Sequence, residues 1–242
     1  MIDLAQRSQM LELMDMPDHS IEEWRACLGD IDRLNRWTGM YSQILRFVEA
    51  AYLRFRQSST RPMSILDVGY GSGELLAMIE QMAKRKNYKI ELCGIDLNPW
   101  AKIVANERNP QASIRFQIGD FLKTEEPSDV VISTLVSHHL NREELNEFYL
   151  ALNRLTSFTW LIHDLHRHFI SYYGLKVITK LGRLHPMVRN DGPLSVAKGF
   201  RRQELQQLID ASEASSFEFN IKWHMPFKYQ VSALRRQHEL NL

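Results

Sequence analysis

The sequence predicts an α/β fold in which a largely parallel sheet carries helices on both faces. Two observations lead there. From about residue 63 onward, short apolar runs alternate with helical stretches of 10 to 15 residues. That alternation is the signature of strand–helix–strand units. The run Asp129 to Leu135 is also apolar without a break, as expected of a strand buried on both faces.

The elements follow in order. Residues 1 to about 60 read as helix throughout, with Ile21, Trp24, Leu28, Ile31 and Leu34 at helical spacing, then Ile44, Phe47, Val48 and Ala51. Pro17, Asp18 and Ser20 mark a helix start before Ile21. Gln57 to Pro62 is a polar break. Met63 to Val68 is the first strand, and Glu74 to Lys86 a helix. Tyr88 to Leu97 is a strand, Pro99 to Glu107 a helix, and Ser113 to Ile118 an alternating strand. Asp129 to Leu135 is a strand, Glu143 to Leu155 a helix, and Phe158 to Ile162 another buried strand. Phe169 to Leu181 reads as one helix inserted above the sheet. Asn190-Asp191-Gly192-Pro193 reads as a turn. A helix at Gln203 to Ala211 and strands at Phe217 to Trp223 and Phe227 to Leu234 close the chain.

Composition removes whole classes of function. Thirty basic residues face 29 acidic ones, a net charge of +1. No global field exists to hold nucleic acid or an anionic membrane, although a local basic patch is not excluded by a total. Two cysteines, Cys27 and Cys93, make neither a disulfide framework nor a zinc pattern. The first twenty residues lack the basic start and apolar run of a secretory signal. No stretch approaches 18 apolar residues. The expectation is a cytoplasmic protein, monomer or homodimer, with neither a nucleic-acid nor a membrane partner and with no metal.

The chemistry-bearing residues fall at strand ends, where parallel sheets bind ligands. Ile65 to Leu76 reads ILDVGYGSGELL. Gly69, Gly71 and Gly73 let the chain turn tightly from strand into helix. The spacing is G-x-G-x-G, and Glu74 stands where a dinucleotide fingerprint has its last glycine. Asp67 beside the turn would repel a pyrophosphate and suit an ammonium group. Asp96 lies 23 residues beyond Gly73, beside Leu97 in GIDLNP, placed to accept from ribose hydroxyls. Asp120 and Phe121 follow the third strand in IGDFL, suiting an adenine amino group and its ring.

DVGYGSG, GIDLNP and GDF together resemble the three successive motifs of class I S-adenosylmethionine-dependent methyltransferases, over roughly residues 60 to 165. The resemblance implies a Rossmann-like, seven-stranded, mostly parallel sheet with one antiparallel strand near the C-terminus, and S-adenosyl-L-methionine as cofactor. It assigns Asp67 and the glycine turn to the methionine part, Asp96 to the ribose and Asp120 with Phe121 to the adenine. Thr134 to Val136 would face the cofactor. QRSQMLELMDMPD, LGDIDRLNRWTG, LIHDLHRH and NDGPLSVAKGF are similar to a bacterial small-molecule subgroup close to quinone-biosynthesis methyltransferases. That likeness puts Asn35, Arg36 and Trp37 over the cofactor mouth. The implied organisation is a helical lid (1–60), a cofactor-binding core (61–242) and a substrate cap within it (165–200).

Methyl transfer to a phenol, acid or amine calls for a proton acceptor, and histidine suits neutral pH. His138 and His139 follow the fourth strand; His163, Asp164, His166 and His168 lie at the fifth. The expectation is His139 or His166 as base, with Asp164 orienting an imidazole. Phe169, Tyr172 and Tyr173 are candidates to pack on an aromatic acceptor, and Arg167, Arg183 and Arg189 to pair with its anionic group. The reaction expected is transfer to a small-molecule hydroxyl of phenolic, quinone-like or polyketide type in secondary metabolism. Carbon or nitrogen methylation, a nucleic-acid substrate and a non-catalytic cofactor-binding subunit stay open as alternatives.

Overall fold

The strands are β1 (Met63–Val68), β2 (Ile90–Asp96), β3 (Ile114–Ile118), β4 (Ser128–Thr134), β5 (Thr156–Leu165), β6 (Phe217–His224) and β7 (Lys228–Arg235). They form one sheet in the order β3-β2-β1-β4-β5-β7-β6. β1 to β5 pair in parallel, and β7 runs antiparallel to both β5 and β6. The fold is therefore the expected seven-stranded, Rossmann-like sheet with one reversed strand. The computed structural model describes residues 3–16, 19–212 and 215–236. The proline and aspartate read as a helix start, Pro17 and Asp18, lie outside them.

The helices are α1 (Ile21–Trp37), α2 (Met40–Phe55), α3 (Glu74–Lys86), α4 (Pro99–Arg108), α5 (Arg142–Leu155), α6 (Phe169–Leu181), α7 (Pro186–Lys198) and α8 (Arg202–Ala211). Ser20 caps α1 through a reciprocal pairing with Glu23, and Asn141 caps α5 the same way with Glu144. Two apolar cores lie on the two faces of the sheet. One packs Trp160, Val131 and Ile162 against Phe148, Leu152 and Leu208. The other packs Ile65, Ile132 and Leu161 against Ile44, Val48, Leu76 and Ile79. Among the described residues, no helix is long and apolar enough to cross a membrane.

Helix α2 shares the second core, so it is one of the layers covering the sheet. Among the described residues of the first 60, Glu12, Met14 to Met16, residues of α1, the turn at Thr38 and Gly39, and Tyr41 of α2 line the cavity at the strand ends. The segment before α1 departs from the helix expected there. Its described part is extended, with a single 3-10 turn at Leu13–Asp15. The cause is a competing set of partners. The Leu13 and Met14 amides donate to Asp191 at 2.8 and 2.9 Å, and the Ser8 amide donates to the Ala197 carbonyl.

The expected turn at residues 190–193 is also absent. Those residues lie inside α7, which carries Pro193 within it. The Asp191 carboxylate, the group that would close such a turn, is engaged by the N-terminal segment instead.

Gly73 shows what the strand-to-helix turn demands. Its φ is +73°, and a Cβ there would stand 2.7 Å from the tip of the Phe116 ring. Gly73→Ala is expected to lower unfolding free energy by at least about 2 kcal/mol, from left-handed backbone cost plus overpacking. Urea unfolding measures it, and a change under about 0.5 kcal/mol, the scale of a neutral surface substitution, would remove the packing role.

Candidate active site

One cavity of about 1580 Å³ spans the carboxyl ends of β1, β2 and β4 and reaches up to α1, α6 and α7. It opens where the strand order turns, with β1 between β2 and β4. Chain leaving β1 and β4 departs to opposite faces and leaves a crevice.

At its floor, Asp67 ends β1 and is fully buried, with Oδ1 lacking any hydrogen-bond partner. Burial, reinforced by the nearby Asp96 carboxylate, pushes its pKa up to about 8. Gly69 follows at φ +74°, and a Cβ on it would meet Val136 at 2.3 Å. The turn then wraps so that the Gly71 amide donates to Asp96 Oδ2 at 3.0 Å. Asp96 Oδ1 accepts from the Asn98 amide at 2.9 Å. Each Asp96 oxygen thus holds one backbone amide and keeps a second lone pair.

Asp67, Gly69, Gly71, Asp96, Leu97, Asp120, Phe121, Thr134 and Trp37 all line the cavity. Asp120 also caps the short turn after β3 through the Leu122 amide. Phe121 is mostly core, edge-on to Phe148 at 5.3 Å. Two of the residues expected to hold the cofactor do not line the cavity. Gly73 faces Phe116, so it serves helix–sheet packing. Arg36 points away and pairs with Glu74 across the α1–α3 boundary.

A second polar group sits beyond Thr134. Leu135 is held at φ +57°, strained for a branched side chain, and the chain then forms a 3-10 turn at Ser137–His139. His138 and His139 both line the cavity. Behind them, and not lining it, is Asp164. Its Oδ1 lies 2.7 Å from His138 Nδ1, and its Oδ2 accepts from the Ser137 hydroxyl and the His138 amide. Burial raises Asp164, yet His138 and Ser137 outweigh it and hold the carboxyl at about 2. Asp164 does orient an imidazole, that of His138, and acts on the cavity only through it.

His139 is tied to a different acid. Its Nδ1 stands 3.2 Å from Asp15 Oδ1, and its Nε2 is 3.8 Å from Glu12 Oε2. Asp15 is raised by burial but pulled down further by His139 and Lys198, to about 2. Glu12 is buried, its pKa raised by that burial, and its Oε1 lies 3.8 Å from His138 Nε2. Glu12, His138 and His139 present ligand-type atoms within 4.8 Å of one another. Lys198, with its ammonium 3.6 Å from both Glu12 and Asp15, already supplies the positive charge a divalent cation would bring.

His166, the other candidate base, does not line the cavity. It accepts from Trp223 Nε1 at 3.1 Å and borders a separate shallow groove with Arg167, His168 and Arg201. The chain bends away after Leu165, where His166 bridges to Phe200. His163 is buried within the sheet, with both ring nitrogens unpartnered, and burial lowers it to about 3. Arg167 is enclosed by Glu204 and the Gly199 carbonyl. Phe169, Tyr172, Tyr173, Arg183 and Arg189 do not line the cavity; Ile170, Gly174, Leu175 and Ile178 do.

Sequence reading gave no role to Glu12, Asp15 or Lys198, although the first two lie in QRSQMLELMDMPD and the third in NDGPLSVAKGF, because these segments meet only through folding. It also missed Lys228, which lines the cavity below Thr38 and is lowered by burial to about 7. Its one signal was a lysine opening a strand whose apolar and polar residues alternate.

Comparison with known proteins matches residues 65–157 to the family described as a methyltransferase domain. No curated protein matches. Solved structures share the fold. The plantazolicin methyltransferase BpumL, in complex with a triazolic desmethylPZN analog and SAH, is 16% identical, with TM-score 0.64, covering 90% of this chain and 97% of that one. Magnesium protoporphyrin IX methyltransferase from Synechocystis PCC 6803 with bound SAM is 11% identical, with TM-score 0.60, covering 90% and 92%. The CMeT domain of the citrinin polyketide synthase is 13% identical, with TM-score 0.58, covering 81% and 52%.

Asp67 generates a stability prediction. Its carboxyl ionises near pH 4 when unfolded but only near 8 when folded, so stability falls as pH rises between those values. In ligand-free protein, the stability of Asp67→Asn relative to the parent should therefore grow by at least about 2 kcal/mol from the low to the high end of that window. Denaturant unfolding at both ends checks it, and a pH-independent gap would refute the buried, unpaired carboxyl.

Proposed function

We propose that this chain, whose residues 65–157 match the methyltransferase-domain family, is a class I S-adenosylmethionine-dependent methyltransferase and that it methylates a small molecule, at a hydroxyl of phenolic, quinone-like or polyketide type. The observation that carries this is the cavity. Its 1580 Å³ exceeds the roughly 300–1,000 Å³ of a single-ligand pocket, and both the glycine turn and the histidine pair line it. The similar structures named for a porphyrin, plantazolicin and a polyketide synthase support a small-molecule acceptor.

The cofactor's fit rests on the orphaned Asp67 oxygen and on the bare backbone at Gly69. In this reading Asp67 takes the amino group of the methionine part, which supplies the positive partner its buried oxygen lacks. Gly69 and Gly71 let the main chain lie close to the ligand. The free lone pairs of Asp96 accept from the ribose hydroxyls, while Asp120 and Phe121 take the adenine. Leu97, Thr134 and Trp37 complete the wall. When bound, S-adenosyl-L-methionine supplies a methyl group already activated for displacement. The chain's own tasks are to exclude water, hold the acceptor in line and remove its proton.

His139 suits the last task. Asp15, ionised throughout the neutral range, holds Nδ1–H and leaves Nε2 as the acceptor. His139 is also the more exposed of the pair, at 25% against 3% for His138. His138, clamped by Asp164, braces it with the rings 4.3 Å apart. Asp15 and Asp164 are thus positioning residues.

His139→Ala should lower kcat by ~10²–10⁴ on a phenolic acceptor while cofactor affinity holds. His166→Ala, outside the cavity, should stay within twofold. Equal behaviour of the two variants would discard the base assignment. Asp96→Ala should weaken cofactor binding by about 10- to 100-fold, the value of charge-assisted hydrogen bonds, read by calorimetric titration. An unchanged constant would overturn the cofactor placement.

A further inference from the structure

Helix α6 is turned inside out for a soluble helix. Phe169, Tyr173, Val177 and Leu181 recur every four residues and share one face. All are exposed, Leu181 by 78%, and Ile170 and Ile178 beside them are about half exposed. Thr179 is the helix's one buried residue. A contiguous apolar stripe of this kind on a monomer's surface marks a contact.

The charge around the stripe has one sign. Residues 165–190 contain no Asp or Glu, but hold Arg167, Lys176, Lys180, Arg183 and Arg189. Arg167 is consumed by Glu204. The other four enter no ion pair among the described residues. Lys176 and Lys180 project from one edge of the apolar face, a turn apart, and Arg183 follows at the helix end. The whole-chain balance of +1 conceals this local excess.

The inner side of the same helix is a wall of the cavity through Ile170, Gly174, Leu175 and Ile178. The cavity also carries exposed apolar residues of its own, because Trp37, Leu97 and Met225 line it and stand in solvent. An apolar face edged by lysines describes a helix that lies in the plane of a bilayer surface, its apolar side among the acyl chains and its cations on the lipid phosphates.

We propose that α6 docks this protein on an anionic lipid surface, with the cavity mouth facing the bilayer. A second copy of the chain would cover the apolar stripe, but it would set like charges against each other across a two-fold axis. An anionic bilayer answers both the stripe and the charge. Docking would let a lipophilic acceptor pass from the membrane to the cavity without crossing water.

The test is co-sedimentation of the full chain with vesicles of phosphatidylcholine alone and of phosphatidylcholine mixed with phosphatidylglycerol. The expected result is binding to the mixed vesicles at low salt, weakened as salt rises. Loss of each cation should lower the partition coefficient about fivefold, so Lys176→Glu with Lys180→Glu should reduce it by at least about 25-fold. Val177→Glu with Leu181→Glu should abolish binding. None of these four side chains lines the cavity, so turnover on a water-soluble acceptor serves as the folding control. Binding is read without turnover, so failure here leaves the reaction assignment separate. Failure to bind mixed vesicles at low salt would overturn the proposal, as would equal binding to both vesicle types. So would a dimer in light scattering that Leu181→Glu converts to monomer.

Discussion

An ionisable group inside a protein must find a partner or give up its charge, and this constraint organises the cavity. At one end Asp67 has no partner within the chain and keeps its proton. Behind the His138 wall, Asp164 is held by Ser137 and His138 and stays ionised. Two buried carboxyls at the ends of strands in one sheet are thus driven in opposite directions by what surrounds them. The sheet makes that possible. β1 and β4 lie side by side, so everything carried at their ends converges within one crevice. One carboxyl is left unpaired, and the other fixes a ring already in place.

Much of this architecture was legible along the chain, because its determinants are local. Apolar runs, capping residues and glycine spacing each act within a few residues. Helix α3 begins and ends where its apolar spacing and the glycine turn require, and the insert helix α6 also has its predicted bounds. The acids at the ends of β1, β2 and β3 were placed by the strand pattern alone. Gly73 and Arg36 stand outside the cavity lining for opposite reasons. The glycine's requirement is real but comes from Phe116, and Arg36 was taken by Glu74, a partner 38 residues away.

The misplaced elements share one origin, competition between near and distant partners. Asp191 carries the composition of a turn, yet its carboxylate serves amides nearly 180 residues earlier in the chain. The leader is apolar enough to suggest helix, yet its amides are claimed from outside. Side-chain direction was hidden as well. The two residues after Asp164 illustrate the point: Leu165 faces the cavity while His166 turns out, a consequence of the bridge to Phe200 that no local pattern encodes.

The group around Glu12 has a consequence of timing. It joins the leader, the end of β4 and the last turn of α7 through Glu12, His139 and Lys198. During synthesis Glu12 leaves the ribosome first, and Lys198 follows more than 180 residues later. Until then the acid has no ammonium to neutralise it and no reason to leave water. The leader segment must wait, solvated, for a sheet that does not yet exist, and the Glu12 end of the cavity closes only after the segment bearing Lys198 has been made.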